Sequence, residues 1–193
     1  MDEPPPPTTL FLLRHGEIDR PPVAQFDDAV LTERGREQVH GMALRWKHRT
    51  PDVIYCSPLP RSVETASICA AVFRRPIRTV HELEEWAATE QDVPQDEYKD
   101  LERKSWADFD FQNDSGESLN HATVRIASAL TEITERHAGR PVMVAGHAIL
   151  FALFIAQVQG RRATEAAKDE IPFGSHCVVE YQGQFRVMGN WVL

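Results

Sequence analysis

Two histidines in this chain of 193 residues sit in company that suits phosphoryl transfer. One lies in the run Arg14-His15-Gly16-Glu17, the other in Gly146-His147-Ala148, and a third segment, Cys56-Ser57-Pro58-Leu59-Pro60-Arg61, adds a second arginine. A guanidinium fork matches a phosphoryl group with two parallel hydrogen bonds. An imidazole nitrogen is a competent nucleophile and, when protonated, a charge-assisted donor. Arg14, His15, Arg61 and His147 therefore describe a pocket for a dianionic phosphate ester. No P-loop glycine-lysine pattern is present to hold a nucleotide and magnesium, and no HExxH or clustered Asp/His spacing offers metal ligands. A route through a phosphohistidine, without metal or cofactor, fits these residues best.

The elements that must position them are legible as patterns. Leu10-Phe11-Leu12-Leu13, Asp52-Val53-Ile54-Tyr55-Cys56 and Val142-Met143-Val144-Ala145 are short, mostly apolar runs, the mark of parallel strands buried on both faces. Leu59, Val63, Ala66, Ala70 and Phe73 keep helical spacing, as do Leu119, Ala122, Ile126, Leu130 and Ile133. Further helices are expected from the N-cap Thr32 to Trp46 and over 148–157. Strands alternating with helices predict an α/β fold, a three-layer sandwich with a mostly parallel central sheet and helices on both faces. Ligands of such sheets bind beyond the carboxyl ends of the strands, where all three chemical segments lie, and two of those segments run straight into a helix N-terminus. The segments 177–181 and 184–188, joined across Gln182-Gly183, read as an antiparallel hairpin at the sheet edge. Residues 1–8, with four consecutive prolines, read as a disordered tail, and 9–193 as one domain. Within it about 86–115, carrying Trp106, Phe109 and Phe111 without sustained period, reads as a small inserted lobe or lid.

Composition narrows the partners. The formal net charge of -8 opposes nucleic acid and acidic membranes, so neither is expected. Three cysteines without CxxC pairing suggest reduced thiols, and the acidic, proline-rich N-terminus has no signal-peptide pattern. A cytoplasmic location is expected, and oligomeric state is not readable.

Arg14-His15-Gly16-Glu17 resembles the RHGE signature of the histidine phosphatase superfamily, the phosphoglycerate mutase-like fold. The likeness continues in order through Leu31-Thr32-Glu33-Arg34-Gly35 (LTxxG), Ser57-Pro58-Leu59-Pro60-Arg61 with Thr65-Ala66 (SPLxRxxxTA), Gly116-Glu117-Ser118 (GES) and Gly146-His147. It implies that His15 is the nucleophile, and that Arg14, Arg61 and His147 hold the phosphoryl oxygens. Glu17 and Ser118 are candidate substrate contacts. For attack His15 must be neutral, and flanking arginines disfavour its protonated form.

The family draws its general acid from an LxE context after the strand near residue 80. Here that context is Leu83-Glu84-Glu85, which makes Glu85 the acid and Glu84 the alternative. Departures from the family pattern bear on the reaction. Phosphoglycerate mutases carry an asparagine where this chain has Pro21, and a Thr-Gly pair where it has Gln25-Phe26-Asp27. The resemblance therefore implies a phosphomonoester hydrolase acting on a small phosphorylated metabolite. The alternatives are a phosphoglycerate mutase-type phosphomutase and a non-catalytic phospho-ligand or partner-binding module on the same fold.

Overall fold

The computed structural model describes residues 6–19 and 27–193. Pro21 and Gln25-Phe26, on which the mutase comparison turns, lie outside the described residues, as do the first five residues of the proline-rich tail.

The strands are β1 (Thr8–Arg14), β2 (Val53–Cys56), β3 (Ile77–Thr79), β4 (Pro141–Gly146), β5 (His176–Tyr181) and β6 (Phe185–Val187), in the sheet order β3-β2-β4-β1-β5-β6. The first four in that order are mutually parallel; β5 runs antiparallel to β1, and β6 to β5. The hairpin turns at Gly183, whose φ of 76° suits glycine. The helices are α1 (Glu33–Arg45), α2 (Pro60–Phe73), α3 (Gln95–Ala107), α4 (Leu119–Arg136), α5 (Ala148–Val158) and the short α6 (Ala166–Asp169).

Alternation along each buried strand divides the core in two. Leu10 and Leu12 of β1, Tyr55 of β2 and Val144 of β4 face one way, onto α4 and α5. Phe11, Leu13, Ile54, Cys56, Met143 and Ala145 face the other, onto α1 and α2. A run apolar at every position is required because both faces are covered. Truncating Leu12, fully buried at the sheet centre, to alanine would cost about 2–5 kcal/mol. Thr32 caps α1 by accepting from the Gly35 amide at 2.9 Å, and Ser118 caps α4 by accepting from His121 at 3.1 Å.

Two expectations change. Thr8, assigned to the tail from the sequence, is already in β1 and buried, its hydroxyl donating to the Thr134 carbonyl at 3.2 Å. That bond ties a β-branched residue to the end of α4 and favours strand over coil. The segment 86–115 is not without regular structure, since it contains the 13-residue α3. Ser105 is the helix's only buried residue, while Tyr98, Leu101 and Trp106 lean on the α4–α5 core from the side. A helix with so little of its face covered leaves a weak hydrophobic period.

Candidate active site

Neighbouring strands bring the two histidines together. Arg14 of β1 lies opposite Gly146 of β4, and the His15 amide donates to the Gly146 carbonyl at 3.0 Å. Each strand then leaves the sheet at the same level, placing the imidazoles of His15 and His147 5.3 Å apart. The His15 Nδ1 lies 2.8 Å from the carbonyl oxygen of Gly16. A carbonyl only accepts, so Nδ1 carries the proton and Nε2 keeps its lone pair. The orientation of the His15 ring is tied to its own chain, one residue on.

That turn requires glycines. A Cβ on Gly16 would lie 2.4 Å from the Gly35 carbonyl oxygen, and one on Gly35 would lie 2.2 Å from that of Glu17. The Gly16 amide also donates to Thr65 Oγ1 of α2 at 3.2 Å. The RHGE and LTxxG segments therefore interlock by backbone contact, and the SPLxRxxxTA segment joins them through the Thr65 hydroxyl.

The cations surround this turn. Arg61, in the first turn of α2, is buried. Burial lowers its pKa, and the nearby Glu85 and Asp27 carboxylates oppose that shift. A guanidinium nevertheless stays charged, and a cation beside helix amides is unfavourable unless it meets an anion. Arg14 donates to the Ile171 carbonyl and lies 3.9 Å over the Phe173 ring. His147 is fully buried, its Nε2 2.7 Å from Ser57 Oγ and its Nδ1 without a partner among the described residues. Burial, then the charge of Arg61 with those of Arg14 and Arg125, holds its pKa well below the usual imidazole value. His147 is therefore neutral near pH 7.

The structure brings Glu85, not Glu84, to this cluster. Glu84 turns outward and pairs with His81 at 2.7 Å. The Glu85 carboxyl accepts from the amides of Ile149 at 3.1 Å, Leu150 at 3.2 Å and Trp86 at 3.0 Å. It thereby caps α5, whose N-cap residue His147 makes no side-chain cap bond. Burial pushes its pKa up, while the Ile149 and Trp86 amides, the Arg61 charge and the Leu150 amide pull it back.

Glu17 and Ser118 already have partners within the protein. The Glu17 carboxylate accepts from Thr32 Oγ1 at 3.2 Å and lies 3.6 Å from Arg34, and Ser118 is the α4 cap. Cys56 is buried beside Thr79, and burial pushes its thiol up, which suits packing. Sequence reasoning missed Ser57, Thr65 and Phe173. Ser57 and Thr65 sit within a quoted motif, so their position was a signal; Phe173 carried none, because its segment between α6 and β5 has no periodic pattern. Among the described residues no group of three or more His, Cys, Asp or Glu side chains gathers as a metal site, and no helix is long and apolar enough to cross a membrane.

Comparison with known proteins bears on the family and the fold. Residues 10–192 match the family model of the histidine phosphatase superfamily (branch 1). Phosphoserine phosphatase 1 of Hydrogenobacter thermophilus is 30% identical over 154 residues, covering 72% of this chain and 71% of its own length. Among solved structures, YhfR of Bacillus stearothermophilus superposes with a TM-score of 0.80 at 23% identity, over 94% of this chain and 95% of its own. A mycobacterial glucosyl-3-phosphoglycerate phosphatase gives 0.78 at 20% identity, over 93% and 96%. A phosphoserine phosphatase from Entamoeba histolytica, solved with phosphoserine, gives 0.78 at 18% identity, over 95% and 96%. With the family matched from β1 almost to the last residue, the chain belongs to branch 1 of the histidine phosphatase superfamily, and the activity that goes with this membership is that of a phosphatase.

Proposed function

We propose that the chain hydrolyses small phosphomonoesters through a covalent phosphohistidine on His15, without a metal. The observation that carries this reading is the His15 Nδ1 bond to the Gly16 carbonyl, which directs the Nε2 lone pair outward beside Arg14, Arg61 and His147. In the first step Nε2 attacks phosphorus, the N–P bond forms and the ester P–O bond breaks. Glu85, in its acid form, gives its proton to the departing alkoxide. Arg14 and Arg61 balance the charge gathering on the equatorial oxygens, and His147 Nδ1 donates to one of them. In the second step water attacks phosphorus and loses a proton to the Glu85 carboxylate. The N–P bond breaks, its electron pair returns to Nε2, and inorganic phosphate leaves.

The pKa balance at Glu85 supports its double role. Burial favours the acid needed first, while three amides and Arg61 steady the carboxylate left afterwards. The names of the relatives make phosphoserine and phosphorylated sugar acids the first substrates to try. The test is phosphate release in EDTA from these compounds and from an aryl phosphate, for wild type and His15→Ala. Release that survives EDTA and disappears in the variant is expected; His15→Ala turning over near the native rate would remove the mechanism.

A further inference from the structure

The Glu85 carboxyl rests on α5, but the backbone carrying it is held from another direction. Arg125 of α4 lies against this segment. Its Nε and Nη2 form a two-pronged pair with Glu117 at 2.8 and 2.5 Å. Its Nη1 donates to the carbonyls of Glu82 at 2.7 Å and Glu84 at 3.0 Å, the latter immediately before the acid. Glu117 grips the other side. Its amide donates to the Ala87 carbonyl at 3.1 Å, and its carbonyl accepts from Trp86 Nε1 at 2.6 Å. The two residues of one ion pair, with side chains 18% and 19% exposed, therefore flank Glu85: Arg125 holds the chain before it through its guanidinium, and Glu117, which anchors Arg125, holds the chain after it through its backbone.

We propose that Arg125, paired with Glu117, is a positioning residue for the proton donor: it fixes the backbone of 82–87 so that the Glu85 carboxyl meets the α5 amides and the leaving oxygen at the right height. The inference rests on the reading of Glu85 as the acid. Guanidinium geometry is what the task needs, because one planar group must serve a carboxylate and two carbonyls together, which a lysine's point charge cannot. Proton transfer demands hydrogen-bond distance, so a displacement of about 1 Å at the carboxyl is felt in rate.

A salt bridge that merely stabilised the fold would behave differently. An aryl phosphate expels a phenolate that needs no proton, whereas an alkyl ester needs one. The experiment compares kcat/KM for p-nitrophenyl phosphate and for the best alkyl phosphate of the substrate panel. The proteins are wild type, Arg125→Met, Arg125→Lys, Glu85→Gln and Glu85→Gln with Arg125→Met. The alkyl-to-aryl ratio is expected to fall about 10-fold or more in Arg125→Met, through kcat and not KM, with partial recovery in Arg125→Lys. In the Glu85→Gln background the same substitution should change the ratio no further. Equal loss on both esters, or a further fall in that background, would overturn the inference while leaving the proposed hydrolysis intact. If Arg125→Met does not fold, Arg125→Lys and Glu117→Gln give the same ratio in folded protein. Glu85→Gln with an unchanged ratio would instead remove the acid assignment, and the inference with it.

Discussion

The cluster of Arg14, His15, Arg61 and His147 and the segment carrying Glu85 are built on different principles. Arg14, His15 and His147 stand at the ends of adjacent parallel strands, and Arg61 opens the helix that follows β2, so sheet register places them. Glu85 comes after the short edge strand β3, whose three residues are all exposed, and is placed by side chains and by the α5 amides. A group placed by register can be moved only by breaking the sheet. A group placed by an ion pair can be moved by one substitution, so on the proposed reading the Glu85 segment is the tunable half of the site and the strand-end cluster the fixed half.

The largest effect belongs to the register-held half. His15→Ala should abolish turnover and acid-labile phosphoryl labelling, and labelling that persisted would move the nucleophile elsewhere. Arg61→Ala should lower kcat by about 100-fold or more on aryl and alkyl esters alike, since charge on the phosphoryl oxygens does not depend on the leaving group. Glu85→Gln should break that symmetry, losing about 100-fold on alkyl esters and much less on aryl ones. A uniform loss would make the two halves one unit. Ser57→Ala, which frees the His147 ring from its 2.7 Å partner, should cost only about 5-fold in kcat, the rate equivalent of one hydrogen bond of ~1 kcal/mol.

The smallest effect is on stability. The pKa of His147 is depressed in the folded protein, so below the ordinary imidazole value near 6.5 the unfolded chain binds a proton that the folded chain does not. Stability should be fully present above that value and decline as pH falls through it. His147→Gln should flatten this slope in urea titrations between pH 7.5 and 5; an unchanged slope would assign it to His137 or His176, whose pKa values are also lowered, with burial as the largest cause.

That Arg14, His15, Arg61 and His147 gather at one sheet edge was legible in the sequence because each member follows or opens a regular element. Leu10 to Leu13 could only be a buried strand, Arg14 and His15 had to emerge at its end, and the apolar run before His147 repeats the logic. The interlocking of Gly16 with Gly35 was implicit in two motifs but visible only as a distance. Helix α3 escaped because little of it is buried, and Phe173 because it reaches Arg14 from an irregular segment.

Between Glu84 and Glu85 the sequence favoured Glu85 only through the register of the family's LxE context. Adjacent carboxylates have the same local pattern, and only the direction of each side chain from a backbone fastened by Arg125 sends one to solvent and the other to α5. By itself the sequence determined the residue types, their order and the strand ends that gather the phosphate cluster, because those follow from local periodicity and parallel pairing. Which of the two carboxyls meets the α5 amides and what holds the backbone that carries it were decided by tertiary structure, because each depends on contacts between segments far apart in the chain.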